Sequence, residues 1–343
     1  MAASETAGQA YVQAMAAWRV TLDGKDLTDR FAPRLLSLRL TEKRGEEADE
    51  LQIEVHDSDG KLVLPPEGAV LEVALGWQRG TEVTAGLVPK GSFKVDEIEW
   101  TGPADRVSIT ARSADFADSF RTRKTKVWKD TTLGAIVSAI AGANGIAPAC
   151  HPNLAGKAVT AAEQHGKSDM AFLKDLGRRY DAVATVKGGK LVFAPADADT
   201  TASGAEIPSL LIVRQRCSSW SFKRAAREKA QDGAEGQWHD QHTAQRKTAK
   251  AGGHKRRRLK RVYASEQDAK AAAESESKRL ARAKASFSFT LALGNALVAA
   301  GAKATTNGFK TEVDAFAWRI ASVEHTMDGR GGFTTSAEME VAG

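Results

Sequence analysis

Few residues in this chain could carry out chemistry. Cys150 and His151 are adjacent, and a thiol beside an imidazole is the pairing of a cysteine nucleophile with its general base. Adjacent strand residues point to opposite faces, however, and no carboxylate can be assigned to orient the imidazole, so we interpret this pair as coincidental. The motifs G-x-S-x-G, G-x-x-x-x-G-K-[ST] and H-E-x-x-H do not occur. The chain is predicted not to be an enzyme.

Metal and cofactor sites are not predicted either. His239 and His242 are three positions apart, as two ligands on a helical turn would be, and His254 could be a third ligand. The surrounding segment lacks apolar residues to hold such geometry. The carboxylates Glu46 and Glu47 lie in a polar turn with no apolar pocket to raise a pKa. Cys150 and Cys217 form no CxxC pair, which favours free thiols in a reducing cytoplasm.

The basic residues are concentrated in one segment. Between Arg214 and Arg261 there are 15 Lys and Arg against 4 Asp and Glu, whereas the whole chain of 343 residues has a net charge of +6. The rest of the chain is therefore slightly acidic. The segment could contact DNA phosphates, but a solvated strand edge or an assembly contact with an acidic neighbour is the preferred interpretation. The densest part of this segment is the basic patch Lys255, Arg256, Arg257, Arg258, Lys260 and Arg261.

A nine-residue pattern occurs twice, and both copies have the alternation and following turn of a β-hairpin. The copies run from Phe93 to Thr101 and from Trp318 to Thr326, and each reads aromatic, basic, β-branched, two free positions, β-branched, Glu, ring, Thr. Repetition at long spacing indicates a duplicated structural unit. We predict that these hairpins contribute to contacts with other protein chains, through Phe93, Val95, Ile98, Trp100, Trp318, Ile320, Val323 and His325.

The hydrophobic pattern predicts a β-rich α+β chain of several domains. Short strands with period-2 alternation fill the region from Trp18 to Ala114, and a helix-helix-hairpin unit follows. Its first helix can be capped within Asp130-Thr131-Thr132 and its second at Ser168. The polar stretch from Lys223 to Lys250 is predicted to be a long loop, followed by a strand and a helix from Ser265 to Lys284. We expect two similar small antiparallel β-barrels flanking an α+β module. The predicted units are an N-terminal tail (1–17), a first barrel (18–117), the α+β domain (118–200), a second barrel (201–225 and 285–343) and an inserted basic loop with a strand and helix (226–284).

The order of these units and several short motifs resemble the late control protein D family, the baseplate hub proteins of contractile phage tails and tail-like particles. The resemblance covers the chain from about Trp18 to its end. It is carried by the following segments: Asp57-Ser58-Asp59-Gly60-Lys61-Leu62, Leu75-Gly76-Trp77, Gly91-Ser92-Phe93-Lys94-Val95-Asp96, Ala111-Arg112-Ser113-Ala114-Asp115-Phe116, Trp128-Lys129-Asp130-Thr131-Thr132-Leu133-Gly134, Ser168-Asp169-Met170-Ala171-Phe172-Leu173, Arg179-Tyr180-Asp181-Ala182, Val262-Tyr263-Ala264-Ser265, Gly308-Phe309-Lys310 and Gly332-Phe333-Thr334-Thr335.

The resemblance implies a structural role. In such hubs a homotrimer presents six near-equivalent barrels to a hexameric tail tube and binds a trimeric central spike, with other baseplate proteins around it and DNA passing through the lumen. The duplicated hairpin is what a threefold object needs in order to match a sixfold one. The implied location is the virion tail baseplate, assembled in the host cytoplasm, and the sequence shows neither a signal peptide nor a membrane-spanning stretch.

Three alternatives remain open. The hub portion of a type VI secretion spike shares the architecture, although the chain ends at Gly343 without a repetitive needle, which disfavours it. A nucleic-acid-binding protein would use Lys255 to Arg261, and tight DNA binding by a monomer would favour it. A cell-wall hydrolase would reveal itself by zymography on peptidoglycan.

Overall fold

The computed structural model describes residues 11–45, 48–66, 68–113, 120, 122–187, 189–202, 205–207, 209–224, 231–240 and 243–342. These residues form a β-rich fold with few helices, which agrees with the β-rich fold class predicted from the sequence. Within them, no helix is both long and apolar enough to cross a membrane.

The first sheet half contains seven strands and one short helix, α1 (Thr28–Phe31). Leu38, Leu40, Leu51 and Ile53 point into one core, and the alternating residues between them face the other side, so amphipathic alternation builds this half. The spatial order is β3-β4-β7-β6-β5-β1-β2, with antiparallel neighbours. The strands are β1 (Met15–Leu22), β2 (Lys25–Asp26), β3 (Leu35–Lys43), β4 (Glu50–His56), β5 (Val70–Arg79), β6 (Gly86–Thr101) and β7 (Arg106–Ser113).

A mixed α/β unit follows, and its two longer helices begin at Thr132, within the predicted segment Asp130-Thr131-Thr132, and at the predicted Ser168. Thr132 accepts from the Ala135 amide and Ser168 from the Ala171 amide, which satisfies donors that a helix N-terminus leaves free. The predicted hairpin is also confirmed, because β11 (Ala182–Lys187) pairs antiparallel with β12 (Lys190–Pro195). The elements are β8 (Arg123–Thr132), α2 (Leu133–Ala143), β9 (Ala147–Cys150), α3 (Pro152–Ala155), β10 (Ala158–Ser168), α4 (Asp169–Tyr180), β11 (Ala182–Lys187) and β12 (Lys190–Pro195).

The second sheet half has a core of its own, built around Trp318, Phe287 and Phe289. Its strands follow the order β14-β18-β21-β20, with β19 and β13 continuing beyond β20. An insertion separates β14 from β18. The elements are β13 (Ser209–Val213), β14 (Cys217–Arg224), β15 (Gly233–Asp240), β16 (Gln245–Gly252), β17 (Arg256–Tyr263), α5 (Glu266–Arg282), β18 (Ala285–Leu291), β19 (Lys303–Asn307), α6 (Thr311–Asp314), β20 (Trp318–Asp328) and β21 (Phe333–Val341).

The prediction of a long loop from Lys223 to Lys250 is wrong. This segment forms β15 and β16, which pair with each other, and β17 completes a three-stranded sheet. Branched apolar residues are absent because α5 packs very closely on the sheet: a Cβ at Gly236 would lie 2.6 Å from the Ala269 carbonyl oxygen. The core at this contact is built from alanine, including buried Ala234, Ala249 and Ala269, so the hydrophobic signal of a strand is weak.

Helix α5 joins the insertion to the α+β unit. Its predicted start is confirmed, because the Ser265 hydroxyl oxygen accepts from the Asp268 amide. The Tyr180 hydroxyl donates to the Asp268 carboxylate at 2.9 Å, and Arg282 pairs with Asp181 in a buried contact. These contacts connect the insertion to α4, which precedes the β11–β12 hairpin.

The two sheet halves form one continuous sheet, because β20 pairs antiparallel with β3. Beside this junction the Trp77 indole donates to the Gly294 carbonyl at 2.8 Å, and its ring lies 5.4 Å from that of Phe333. Side chains from both halves therefore pack together at the junction between β20 and β3.

Candidate assembly surfaces

The two copies of the repeated pattern have the same strand irregularity at the same position. In β6 the pairing with β7 shifts between Val95 and Glu97, so Asp96 is an extra residue. In β20 the pairing with β21 shifts between Ile320 and Ser322, so Ala321 is the extra residue. Asp96 and Ala321 are both the fourth residue of the pattern. A bulge reverses which residues face the core and is a defined feature of a strand, so its coincidence supports structural equivalence.

A second irregularity also coincides. The pairing of β3 with β4 shifts between Leu35 and Ser37, and that of β14 with β18 shifts between Cys217 and Ser219. Each of these strands follows a single 3-10 turn, at 32–34 before β3 and at 214–216 before β14. Strand β3 therefore corresponds to β14 in the same way that β6 corresponds to β20.

The registers of the remaining strands agree with this correspondence. Ile98 pairs with Ile109, and their counterparts Val323 and Ala337 pair with each other. The correspondence has a limit, since β1 pairs antiparallel with β5 whereas β13 pairs parallel with β19. The order β3-β4-β7-β6 is thus matched strand by strand by β14-β18-β21-β20.

The junction between the halves encloses a buried group of charged and polar side chains. Lys90 Nζ lies 3.1 Å from Glu42 Oε2, and His325 Nε2 lies 3.6 Å from the same oxygen. His325 Nε2 also faces the Val298 carbonyl at 3.2 Å, and that oxygen can only accept, so Nε2 carries the proton. Nδ1 then accepts from the Thr335 hydroxyl at 2.9 Å. Both nitrogens of the neutral His325 imidazole therefore have a hydrogen-bond partner.

The charges in this group depend on one another. Burial raises the pKa of Glu42, but the His325 ring and the positive charge of Lys90 outweigh it and lower the pKa to about 2. Burial lowers the pKa of Lys90 and that of His325, and Glu42 opposes both shifts. Near neutral pH this arrangement is a Glu42–Lys90 ion pair beside a neutral imidazole. Removing one partner would leave a buried charge uncompensated.

Two strand edges of the continuous sheet are uncovered among the described residues. Among the described residues, no strand pairs with the outer edge of β14, and β6 beyond Val95 pairs only with β7. In β20 the corresponding edge is occupied by β3. Trp100 is 61% exposed, whereas its counterpart His325 is fully buried. Trp220 of β14 is 43% exposed, whereas its counterpart Leu38 of β3 is fully buried.

The predicted interface residues separate into two groups. Ile98 and Trp100 remain accessible near the uncovered end of β6. The other six are buried inside the subunit, so their side chains stabilise the fold and are not available to a partner: Phe93, Val95, Trp318, Ile320, Val323 and His325. Sequence reasoning did not single out β14, whose outer edge is also uncovered among the described residues, because its small polar residues show little periodicity. Its signal would have been Trp220 and Phe222 at strand spacing.

Five of the six cations of the basic patch lie on β17, at one edge of the three-stranded sheet, and Lys255 lies directly before this strand. Arg257 pairs with Glu276 of α5 at 3.0 Å, and Arg261 lies over the ring of Tyr263. Arg258, Lys260 and most of Arg261 are exposed. The patch therefore combines one structural ion pair with cations that face solvent.

The Cys150–His151 pair does not have the geometry of a nucleophile and base. The Cys150 thiol donates toward the His151 carbonyl, while His151 Nδ1 accepts from the Asn153 amide and Nε2 lies 3.0 Å from the Thr200 hydroxyl. Burial raises the pKa of the Cys150 thiol to about 11. The thiol is thus protonated at neutral pH, and the imidazole nitrogens are already engaged.

The histidines considered as metal ligands do not form a described cluster. His239 is exposed on β15 and His254 lies in the turn before β17, while His242 and Glu46 and Glu47 fall outside the described residues. Within the described ranges no group of three His, Cys, Asp or Glu side chains could hold a metal ion.

A family model and a curated relative indicate one family, and solved structures of tail and secretion proteins share the fold. The family model described as Phage tail baseplate hub (GPD) matches residues 64–330. The chain is 36% identical over 367 aligned positions to the probable baseplate hub protein of Escherichia phage 186, covering 95% of this chain and 92% of that protein. A tail protein from Neisseria meningitidis MC58 has a similar fold, with a TM-score of 0.67, 11% identity and coverage of 95% and 96% of the two chains. An E. coli component of the type VI secretion system has a TM-score of 0.58 at 10% identity, covering 90% of this chain and 74% of that one.

Proposed function

The chain belongs to the phage tail baseplate hub family, and on that premise we propose that three copies form a ring joining a sixfold tail tube to a threefold central spike. The observation that carries the proposal is the coincidence of bulges and registers between β3-β4-β7-β6 and β14-β18-β21-β20. Each subunit then offers two near-equivalent surfaces, and three subunits offer six. A threefold ring can match a hexameric partner only on this condition.

The polar face of the continuous sheet is proposed to line the lumen. Along β3, β4 and β7 the residues that point away from the core are polar, and β18 and β21 continue the pattern in the second half. Ser, Thr, Glu and Gln outnumber the cations on this face, and Arg39 and Arg112 pair there with Glu324 and Asp96, so DNA phosphates would be held weakly. The residues that would face the passage include Ser37, Thr41, Gln52, Glu54, Ser108, Thr110, Ser288, Thr290, Glu324, Ser336 and Glu338.

The mass of the purified protein in solution tests this proposal. Sedimentation equilibrium should give three times the chain mass at high concentration, and adding the cognate tube protein should produce larger complexes. A species that remains monomeric up to the highest attainable concentration and binds no tube protein would overturn the ring.

A type VI secretion hub is a second candidate, supported by the likeness of the fold to the E. coli secretion component. Both kinds of hub would need the same symmetry match, so partner choice distinguishes them. Binding to a phage tube protein but not to a secretion tube protein supports the phage role, and the reverse preference supports the secretion role.

A further inference from the structure

We infer that the uncovered part of β6 in one copy pairs with the outer edge of β14 in the next copy, in the register that joins β20 to β3 within a chain. The inference rests on the ring proposed above and identifies the surfaces that close it. Both strands have an edge that no described strand occupies. Their counterparts β20 and β3 are already paired with each other, so the chain contains a template for the contact.

The register follows from the positions of the bulges. Within the chain Thr326 lies opposite Arg39, His325 opposite Leu40, Glu324 opposite Thr41, and Val323 opposite Glu42. The bulges at Asp96 and Ala321 align β6 with β20, and those at Leu36 and Ser218 align β14 with β3. Transferring each pair gives the contact between copies: Thr101 opposite Ser221, Trp100 opposite Phe222, Glu99 opposite Lys223, and Ile98 opposite Arg224.

Burial supports this pairing. Trp100 and Trp220 are large apolar side chains at positions whose counterparts His325 and Leu38 are fully buried. Ile98 and Phe222 are half-buried, whereas their counterparts Val323 and Leu40 are buried. At all four positions, the side chain is buried where a neighbouring strand covers it and more exposed where no strand does. A second copy would remove this apolar surface from water.

Charge also supports the pairing. Glu97 and Glu99 lie on β6, Lys223 and Arg224 lie on β14, and none of the four forms an ion pair among the described residues. In the proposed register Glu99 stands directly opposite Lys223, on the polar face of the sheet. Opposite charges on facing strands stabilise a sheet, and like charges destabilise it.

The contact between copies would differ in chemistry from the junction within the chain. The buried Glu42 and His325 are replaced by Arg224 and Trp100 at the corresponding positions. A guanidinium over an indole is a favourable cation–π arrangement, particularly when water is excluded. The internal junction thus depends on an ion pair and a neutral imidazole, and the external one on Arg224 and Trp100.

Within one chain, the uncovered edges of β6 and β14 are too far apart along the sheet to pair with each other. Strands β14 and β6 stand at opposite ends of eight paired strands, and seven spacings of about 4.8 Å separate them by roughly 34 Å along the sheet. The two edges are different surfaces, so the contact is head-to-tail and can repeat around a ring.

Disulfide cross-linking tests the register. In a Cys150→Ser, Cys217→Ser background, the pair Thr101→Cys with Ser221→Cys should give covalent dimers and trimers under mild oxidation. The pair Thr326→Cys with Arg39→Cys, at the equivalent internal positions, should close within one chain without changing its mass. The pair Thr101→Cys with Ser219→Cys is two residues out of register and should not cross-link.

A charge exchange gives a second readout. Glu99→Lys and Lys223→Glu should each weaken the trimer, with its dissociation constant rising about fivefold per contact, and the combination should restore it. Glu324→Lys is the matched control and should leave the trimer intact, because Glu324 is the counterpart of Glu99 but lies opposite Thr41 within the chain.

The outcomes separate the two proposals. Covalent trimers in register, with rescue by charge exchange, support the inference. A protein that is trimeric but gives no cross-link between Thr101→Cys and Ser221→Cys overturns the register and leaves the ring standing. A protein that is monomeric throughout overturns the ring itself.

Discussion

Replacing Glu42 by glutamine should weaken the junction between the sheet halves, and the loss should disappear in acid. In the folded chain the pKa of Glu42 is about 2, against an ordinary value of 4.5. At 1.36 kcal/mol per pKa step, ionisation of this one carboxyl contributes about 3 kcal/mol. Because the folded pKa is depressed, the contribution is fully present above pH 4.5 and is lost as the pH falls toward 2. Glu42→Gln should therefore cost about 3 kcal/mol at pH 7 and about 1 kcal/mol near pH 3.

Hydrogen exchange measured by mass spectrometry is the appropriate assay, because several cores need not unfold together. Peptides covering β3 and β20 should lose protection in Glu42→Gln at pH 7, by a factor of roughly 100 in the opening equilibrium. Glu72→Gln, on the exposed face of β5, is the matched control and should have little effect at either pH. Equal losses at pH 7 and pH 3, or no loss at pH 7, would refute the argument from buried charge.

Three further predictions concern packing, a buried hydrogen bond and the basic patch. Gly76→Ala should severely destabilise the folded chain in thermal melts, because the added Cβ would lie 1.9 Å from the Gly86 carbonyl oxygen. Gly142→Ala in α2 is the control: its Cβ would have no atom within 4 Å, and the change should stabilise the fold by about 0.5–1 kcal/mol. Tyr180→Phe removes the donor to buried Asp268 and should cost about 1–3 kcal/mol, seen as faster exchange in α5; unchanged exchange would count against that contact. Arg258→Glu combined with Lys260→Glu should leave the mass of the trimer unchanged. The two changes should weaken any DNA binding equally for all DNA sequences and make it less dependent on salt concentration. Loss of the trimer would instead show that β17 is an assembly contact.

Much of the fold could be predicted from the sequence, because alternation and caps are local signals. Thr132, Ser168 and Ser265 begin their helices as predicted, and the alternation through Leu38, Leu40, Leu51 and Ile53 marks strands of the first core. The failure from Lys223 to Lys250 has a physical cause. Only alanine and glycine fit where α5 packs against β15 and β16. These small residues do not produce the alternating hydrophobic pattern by which a strand is predicted.

The candidate site was only partly predictable. The repeated sequence pattern identified β6 and β20 as similar strands. The alternation of their residues could not show which of the two strands has a further strand paired with its outer edge. That depends on the pairing of β20 with β3, which joins residues far apart in the chain. For the same reason His325 was grouped with Trp100, although one is buried and the other exposed. The buried group around Glu42 and Lys90 was missed because nothing local brings these residues together.

Two equivalent sheet units in one chain would allow three chains to match a sixfold partner. Electron microscopy of the purified protein with its tube protein tests this most directly. We expect a ring of three subunits in which six sheet units stand at near-equal spacing and β6 of each copy adjoins β14 of the next. A ring in which the two units of one chain occupy unrelated radial positions, or an assembly of any other subunit number, would contradict it.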